Sequence, residues 1–421
     1  MNFDTLSGCM MAFAYYYPLF MSYVWMSGGI YYRFHWEEAG GALGEFDRLE
    51  PIPPVSIIVP CFNEQSHIEE TVSQILKTGY SNYEIILVND GSTDDTGTLI
   101  DHLSIKHPQI RVIHLERNCG KANALNVGAI ASKNEILVCI DGDAMLDEYA
   151  VASLVKHFIY SPRVGAVTGN PRVRNRSTLL GKIQVGEFSS IIGLIKRAQR
   201  IYGRVFTISG VVTAFRKSAL QRIGFWRSDT TTDDIDVSWR LQLDHWDIRY
   251  EPNALCWILM PETYRGLWKQ RLRWAVGGAQ AAIFYAKDLF KWKSRRMWMV
   301  YLEYWLSVVW SYILACIILL WVIGKFIQLP EQINVPSLVP GWHGLVLGAT
   351  CLMQFLVSLL IDKRYENNLL RHFFWIVWYP LAYWMINVFT TAAALPKAIV
   401  MGRNKTGTWT SPDRGYVAHE D

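Results

Sequence analysis

The sequence has no Lys/Arg-rich tract, no period in its 30 Gly and 16 Pro, and no C-x-x-C pair among its seven cysteines. Collagen-like repetition and disorder are excluded by the first two features together with a high apolar fraction. An odd number of unpaired-looking cysteines does not suit a disulfide framework, so the thiols read as reduced, facing a cytosol or a bilayer. No Cys/His cluster has the ligand spacing of structural zinc, and the histidines form no cluster of their own. Charge is scarce as well: 19% of the 421 residues are Asp, Glu, Lys or Arg, against about 25% in ordinary soluble chains. The net charge of +4 is too small to imply a nucleic-acid partner. Hydrophobic residues reach 51% and aromatics 14%, so part of the chain is solvated by something other than water.

Residues 5–32 contain no charged side chain, and about 20 apolar residues span a bilayer core. They read as a first membrane helix within a segment 1–34. A cleavable signal peptide would begin with basic residues, whereas this chain opens Met1-Asn2-Phe3-Asp4. Stretches 304–324, 341–361 and 373–396 qualify as further spans, within a membrane region 299–397 and ahead of a tail 398–421. Arg33, Lys291, Lys293, Arg295 and Arg296 flank the long central segment, which puts that segment on the cytosolic side. Four crossings would leave the C-terminus outside, yet Lys397, Arg403, Lys405 and Arg414 favour the inside. Either the rule fails at the tail, or the Pro380-interrupted last segment does not simply cross.

In the central segment, apolar β-rich runs at 55–59, 84–88, 111–115 and 136–140 alternate with helical-period stretches at 64–77, 94–105 and 121–131. The alternation predicts right-handed βαβ units and a parallel sheet buried on both faces. Ligands of such sheets lie beyond the carboxyl ends of the strands. Those ends carry Phe62-Asn63-Glu64, Asn89-Asp90-Gly91-Ser92-Thr93-Asp94 and Asp141-Gly142-Asp143. Neither G-x-G-x-x-G nor a Walker A loop is present, because Ala122 follows Gly120-Lys121 and Leu115 stands where the loop needs glycine. A divalent metal is then the expected counter-charge for phosphate. Asp141 and Asp143 offer hard oxygens suited to Mg²⁺ or Mn²⁺. An Asp-Gly turn would use the same residues, and Asp90 would also serve as a helix cap. Alignment of Asp90 with Asp141 and Asp143 on one sheet edge favours the functional reading. Lys121, at the start of a helix on that edge, is placed to meet a diphosphate.

These motifs, followed by Thr232-Asp233-Asp234 and Gln270-Arg271-Leu272-Arg273-Trp274, resemble in order the processive family 2 glycosyltransferases with a Rossmann-like α/β GT-A fold. Further stretches at 165–172, 181–187, 191–197, 254–263 and 411–415 are similar to the bacterial poly-β-1,6-N-acetyl-D-glucosamine synthases of biofilm formation. The resemblance implies a GT-A domain at 50–262, interfacial helices at 263–298, and a multi-pass protein of the bacterial inner membrane. It implies UDP-N-acetylglucosamine as donor, a growing polysaccharide as acceptor and exported product, and a small two-helix membrane partner. Position by position it assigns Phe62 and Glu64 to uracil and ribose, Asp90 to the uracil edge and Lys121 to the diphosphate. Asp141 and Asp143 address the metal-diphosphate, with Asp143 as the direct ligand. Asp234 is the general base, Gln270 and Arg273 grip the leaving UDP, and Trp274 stacks on the acceptor. The family's T-E-D reads Thr232-Asp233-Asp234 here, which loosens the choice between the two acids.

An inverting transfer needs one carboxylate as base, with a metal stabilising the leaving diphosphate. Segment 264–285 also has the pattern of an amphipathic helix at a membrane surface. Trp305, Trp310, Trp321, Trp375, Trp378 and Trp384 include candidates for sugar stacking along an export path, although packing and interface anchoring are the favoured use of any single one. The competing readings are a hyaluronan or β-1,4 chitin-like synthase, and an export scaffold whose transferase fold no longer turns over.

Overall fold

The structure, a computed structural model, describes residues 5–37, 52–338 and 341–403. The stretch 411–415 and most of the tail fall outside them. Strands β1 (Val55–Cys61), β2 (Tyr83–Asn89), β3 (Ile110–His114), β4 (Ile136–Ile140), β5 (Met145–Leu146), β6 (Val164–Val173), β7 (Val212–Arg216) and β8 (Asp247–Ile258) form one sheet. Their order is β3-β2-β1-β4-β7-β6-β8-β5. The first four run parallel, as the alternation predicts. The sheet as a whole is mixed, because β7 runs antiparallel to both β4 and β6 and β5 is antiparallel to β8. Every residue of β1 and β4 is buried, whereas β3, at the edge, is half-exposed.

Alternate residues of β1 serve two helical layers. Ile57 and Val59 face helices Ile68–Leu76, Thr96–Lys106 and Ala150–Ile159. Ile58 faces Lys121–Ala131, Lys217–Ile223 and Asp233–Leu243. The α/β unit thus has three layers, and its loops at the carboxyl ends of β1, β2 and β4 share one edge.

Among the described residues, three helices are long and apolar enough to cross a membrane: Trp292–Ile323, Trp342–Asp362 and Tyr383–Met401. The N-terminal helix Leu6–Tyr32 forms over the expected residues, but six tyrosines, three serines and three glycines keep it outside that set. The last expected segment, 373–396, is not one helix. A short helix Phe373–Ile376 ends before a second begins at Tyr379, and that one continues through Pro396 to Met401. Its final turns pack Ala394 and Ala398 on Val276 and Ala279 of helix Tyr264–Phe284. Gln280 donates to the Gly402 carbonyl at 3.3 Å and Arg403 lies over the Phe284 ring. The last described residues therefore sit against helix Tyr264–Phe284.

Buried ion pairs join the two halves. Asp362, at the end of its helix, accepts from Arg172 at 2.8 Å and pairs with Arg197 at 3.0 Å. Arg197 also pairs with Glu37 beyond the N-terminal helix, at 2.5 Å. All four side chains are nearly inaccessible, so removing one partner would strand a charge at a cost of about 3–5 kcal/mol.

Candidate active site

The loops after β1 and β2 are interlocked. Asn63, with φ of 55°, turns its carboxamide oxygen to the Thr93 N–H at 2.9 Å, while its own N–H reaches the Ser92 hydroxyl at 3.0 Å. The Glu64 N–H donates to the Thr96 hydroxyl at 2.8 Å. Gly91, with φ of 67°, lets the backbone of Arg117 and Asn118 approach so closely that a Cβ there would lie 2.6 Å from a carbonyl carbon. That approach brings the loop before Lys121 under Asp90. Both Asp90 carboxylate oxygens accept from that loop, from Cys119 N–H at 2.9 Å and Gly120 N–H at 2.8 Å. Asp90 thus fixes the start of the Lys121 helix, and burial raises its pKa.

Lys121 reaches back to the end of β4, where its ammonium pairs with Asp141 and donates to the Gly210 carbonyl at 3.1 Å. Gly210 abuts Asp234: a Cβ at 210 would stand 3.3 Å from its carboxylate. Asp141, Asp233 and Asp234 all act on Lys121, and together they raise its pKa despite burial. Burial raises the Asp141 pKa, with Lys121 opposing and Asp143 adding to the rise. Burial and the Asp233 charge lift Asp234 to about 6, against the pull of Lys121 and Arg273. In the first turn of its helix Asp234 also accepts from the Ile235 N–H at 2.8 Å.

Helix Tyr264–Phe284 closes the other side. Its first half leaves Tyr264, Arg265, Trp268 and Lys269 exposed, and its second half is buried from Val276 to Ala282. Arg271 is used structurally, in a buried pair with Glu187 at 2.5 Å and over the Trp274 ring at 4.4 Å. The helix grips the Thr232-Asp233-Asp234 turn through Gln280, whose carboxamide oxygen accepts from the Thr231 N–H at 2.9 Å.

One cavity of about 660 Å³ is lined by Lys121, Asp141, Asp143, Asp233, Asp234, Gln270, Arg273 and Trp274. Seven of the ten expected site residues meet there. Phe62, Glu64 and Asp90 do not line it; they occupy the adjoining loops, and Glu64 lies against Gly142, where a Cβ would be 3.1 Å from its Cγ. The same cavity continues past Trp25, Glu303, Tyr304 and Ser307 to Trp310, Gln354, Trp384, Asn387 and Thr391 on the apolar helices. Of the six tryptophans considered for sugar stacking, only Trp310 and Trp384 line it, packed edge to face with centroids 6.2 Å apart. Among the described residues no three His, Cys, Asp or Glu side chains form a metal cage.

Two contributors escape sequence reasoning. Lys196 lines the cavity at 5% exposure, without a hydrogen bond or ion pair among the described residues, and burial pushes it down to about 7 although Asp234 opposes this. In the sequence it is one lysine after an apolar run. Glu303 gathers Trp25, Gln199 and Tyr202 at 3.0, 3.2 and 2.7 Å; its only signal is an acid inside an apolar stretch, which makes it a functional candidate in a membrane setting.

Residues 53–277 match the family model described as "Glycosyltransferase like family 2". The chain is 40% identical over 412 residues to the poly-beta-1,6-N-acetyl-D-glucosamine synthase of Staphylococcus epidermidis, covering 96% of this chain and 98% of that one. The synthase of the same name from Staphylococcus aureus strain COL is 39% identical over 404 residues, with the same coverage. The solved mannosyltransferase PcManGT of Pyrobaculum calidifontis, in complex with GDP-Man and Mn²⁺, superposes with a TM-score of 0.57 at 18% identity, covering 91% of this chain and 99% of that one. That likeness establishes the GT-A-like fold. With a family model over more than half its length and relatives aligned nearly end to end, the chain belongs to the family 2 glycosyltransferases, in the group of the poly-beta-1,6-N-acetyl-D-glucosamine synthases.

Proposed function

We propose that this protein is a membrane-embedded, inverting transferase that polymerises N-acetylglucosamine from UDP-N-acetylglucosamine into a β-1,6-linked chain and feeds it into its own membrane helices. One observation supports this above all: a single cavity joins the acidic and basic motif residues to a Trp- and amide-lined stretch between the apolar helices.

In this reading Phe62, Glu64 and Asp90 hold the nucleoside at the interlocked loops. Lys121, Gln270 and Arg273 receive the diphosphate, where arginine can bond phosphate oxygens in a bidentate manner. Asp234, ionised above pH of about 6, takes the proton from the acceptor hydroxyl as that oxygen attacks the anomeric carbon and the diphosphate departs from the opposite face. Trp274 offers the acceptor sugar a flat apolar face.

The donor set fits a divalent cation. Asp141 and Asp143 present hard oxygens to the cavity, and a Mg²⁺ or Mn²⁺ site normally uses one or two carboxylates with the substrate's phosphates, so no three-ligand cage is needed. Asp141 is paired with Lys121, and Asp143, which also lines the cavity, is assigned the role of direct ligand. When bound, the ion would neutralise charge developing on the leaving diphosphate.

The apolar helices and the basic residues at 291–296 support residence in the bacterial cytoplasmic membrane with the transferase domain inside; the uncharged Leu6–Tyr32 helix is assigned a crossing, and helix Tyr379–Met401, whose end packs on helix Tyr264–Phe284, is assigned to the membrane without simply crossing it. So few helices make a narrow path, and a small membrane partner would complete it. The test is label transfer from UDP-N-acetylglucosamine by membranes bearing the full chain with Mg²⁺: polymer is expected from the native protein, and an equal yield from Asp234→Asn would refute the assignment.

A further inference from the structure

A second pocket, of about 340 Å³, opens beyond the C-terminal end of helix Ile195–Tyr202, lined by Arg200, Arg204, Asp247, Arg295, Arg296 and Met299 among others. Four arginines face one aspartate, an excess of three positive charges. Asp247 pairs with Arg200 and Arg204, each at 2.9 Å, and is shared with Arg249 at 3.2 Å. Arg295 and Arg296 are exposed and form no ion pair among the described residues. The Arg200 side chain is 7% accessible, and its buried Nε has no hydrogen-bond partner. Burial pushes the Arg204 guanidinium below its ordinary value; Asp247 opposes this, and Arg200, Arg296 and Arg163 add to it. Such a pocket is built to receive an anion, since its own carboxylate cannot satisfy it.

The surroundings identify which anion. Arg295 and Arg296 stand at the head of the apolar helix Trp292–Ile323. Phe290, Trp292 and Met299 are 76%, 71% and 52% exposed around them, the aromatic and apolar fringe that marks the headgroup level of a bilayer. A soluble phosphate would gain nothing from that fringe, whereas a lipid would use both the arginines and the apolar rim.

We propose that this pocket binds the phosphate of an anionic phospholipid, with Arg200, Arg204, Arg295 and Arg296 around its oxygens and the acyl chains beside Met299. Because helix Ile195–Tyr202 also carries Lys196 and Gln199 into the large cavity, the lipid would brace the wall of that cavity against the membrane.

The test reads lipid retention and is independent of sugar transfer. The full chain in mild detergent is titrated with phosphatidylglycerol or phosphatidylcholine and examined by native mass spectrometry. The native protein is expected to hold one phosphatidylglycerol at roughly tenfold lower concentration than phosphatidylcholine. The Arg295→Gln/Arg296→Gln variant, which breaks no ion pair, should lose that preference. The Lys291→Gln/Lys293→Gln variant, with the same charge loss outside the pocket, should keep it. Equal retention by the two double variants would overturn the proposal, as would displacement of the lipid by inorganic phosphate or UDP, which would assign the pocket to a soluble anion.

Discussion

The Thr232 side chain occupies the space above Gly277: a Cβ at position 277 would lie 1.9 Å from the Thr232 hydroxyl oxygen. The turn carrying Asp233 and Asp234 is therefore seated directly on the helix that carries Gln270, Arg273 and Trp274. Acid and diphosphate-binding groups come together because one residue has no side chain.

Gly277→Ala must push that turn away from the helix. A displacement near 1 Å at a reacting group costs about 10²-fold in rate. Polymer synthesis should fall by that order while UDP binding at the interlocked loops changes little. Wild-type turnover in this variant would show that the seating is not needed.

Asp234→Asn should lower polymer synthesis by about 10² to 10⁴, the range for removing a general base, with UDP affinity retained. Because the ionised carboxylate is the active form and its pKa is raised to about 6, native activity should rise as pH climbs through that value and be lost below it. Asp233→Asn removes a charge that raises the Asp234 pKa, so the acid limb should move to lower pH. A limb near pH 4 in the native protein would contradict the environment described for Asp234.

Lys196→Met removes a positive charge that acts on Asp234 from within the cavity. The acid limb should shift to higher pH, opposite to Asp233→Asn, in a pH–rate series on solubilised full-length protein. Lys196→Arg should restore most of the native profile; identical profiles for Met and native protein would make Lys196 a packing residue only.

Sequence and structure agree where burial is two-sided and local. Strands β1 and β4 are legible as continuous apolar runs because both of their faces meet helices. The reversed direction of β7 is not legible, since no local pattern records which neighbour a strand will pair with across the sheet. Asp234, set among Thr and Asp neighbours, is reached through the family resemblance, whereas Asp141 and Asp143 could be found because acids directly after a buried strand stand out against its apolar run. Lys196 could not: its burial is produced by packing of the N-terminal and C-terminal helices around a segment that, read alone, ends in an ordinary basic pair. The break between Ile376 and Tyr379 is legible in part, because Pro380 interrupts a stretch otherwise apolar enough to pass as one span.

Arg197→Met should lower thermal stability by about 3–5 kcal/mol by leaving Asp362 with Arg172 alone and Glu37 without its cation. Arg197→Met combined with Glu37→Gln should recover part of that loss, as expected when the penalty is a stranded charge. A purely additive double variant in a melting series would argue against the buried network.

Chelation of divalent ions should stop synthesis and Mg²⁺ or Mn²⁺ should restore it, while Asp143→Ala should weaken UDP binding only when metal is present. Equal UDP binding by that variant with and without Mg²⁺, at the native level, would remove Asp143 from the ligand set.

The most direct measurement is the linkage of the product. Membranes carrying the full chain are supplied with UDP-N-acetylglucosamine and Mg²⁺, and the polymer is digested with linkage-specific enzymes. The account predicts a product that resists chitinase and yields to a β-1,6-specific hexosaminidase. A chitinase-sensitive polymer would contradict it and place the chain with the β-1,4 synthases, and a product unchanged by Asp234→Asn would remove the cavity from the chemistry altogether.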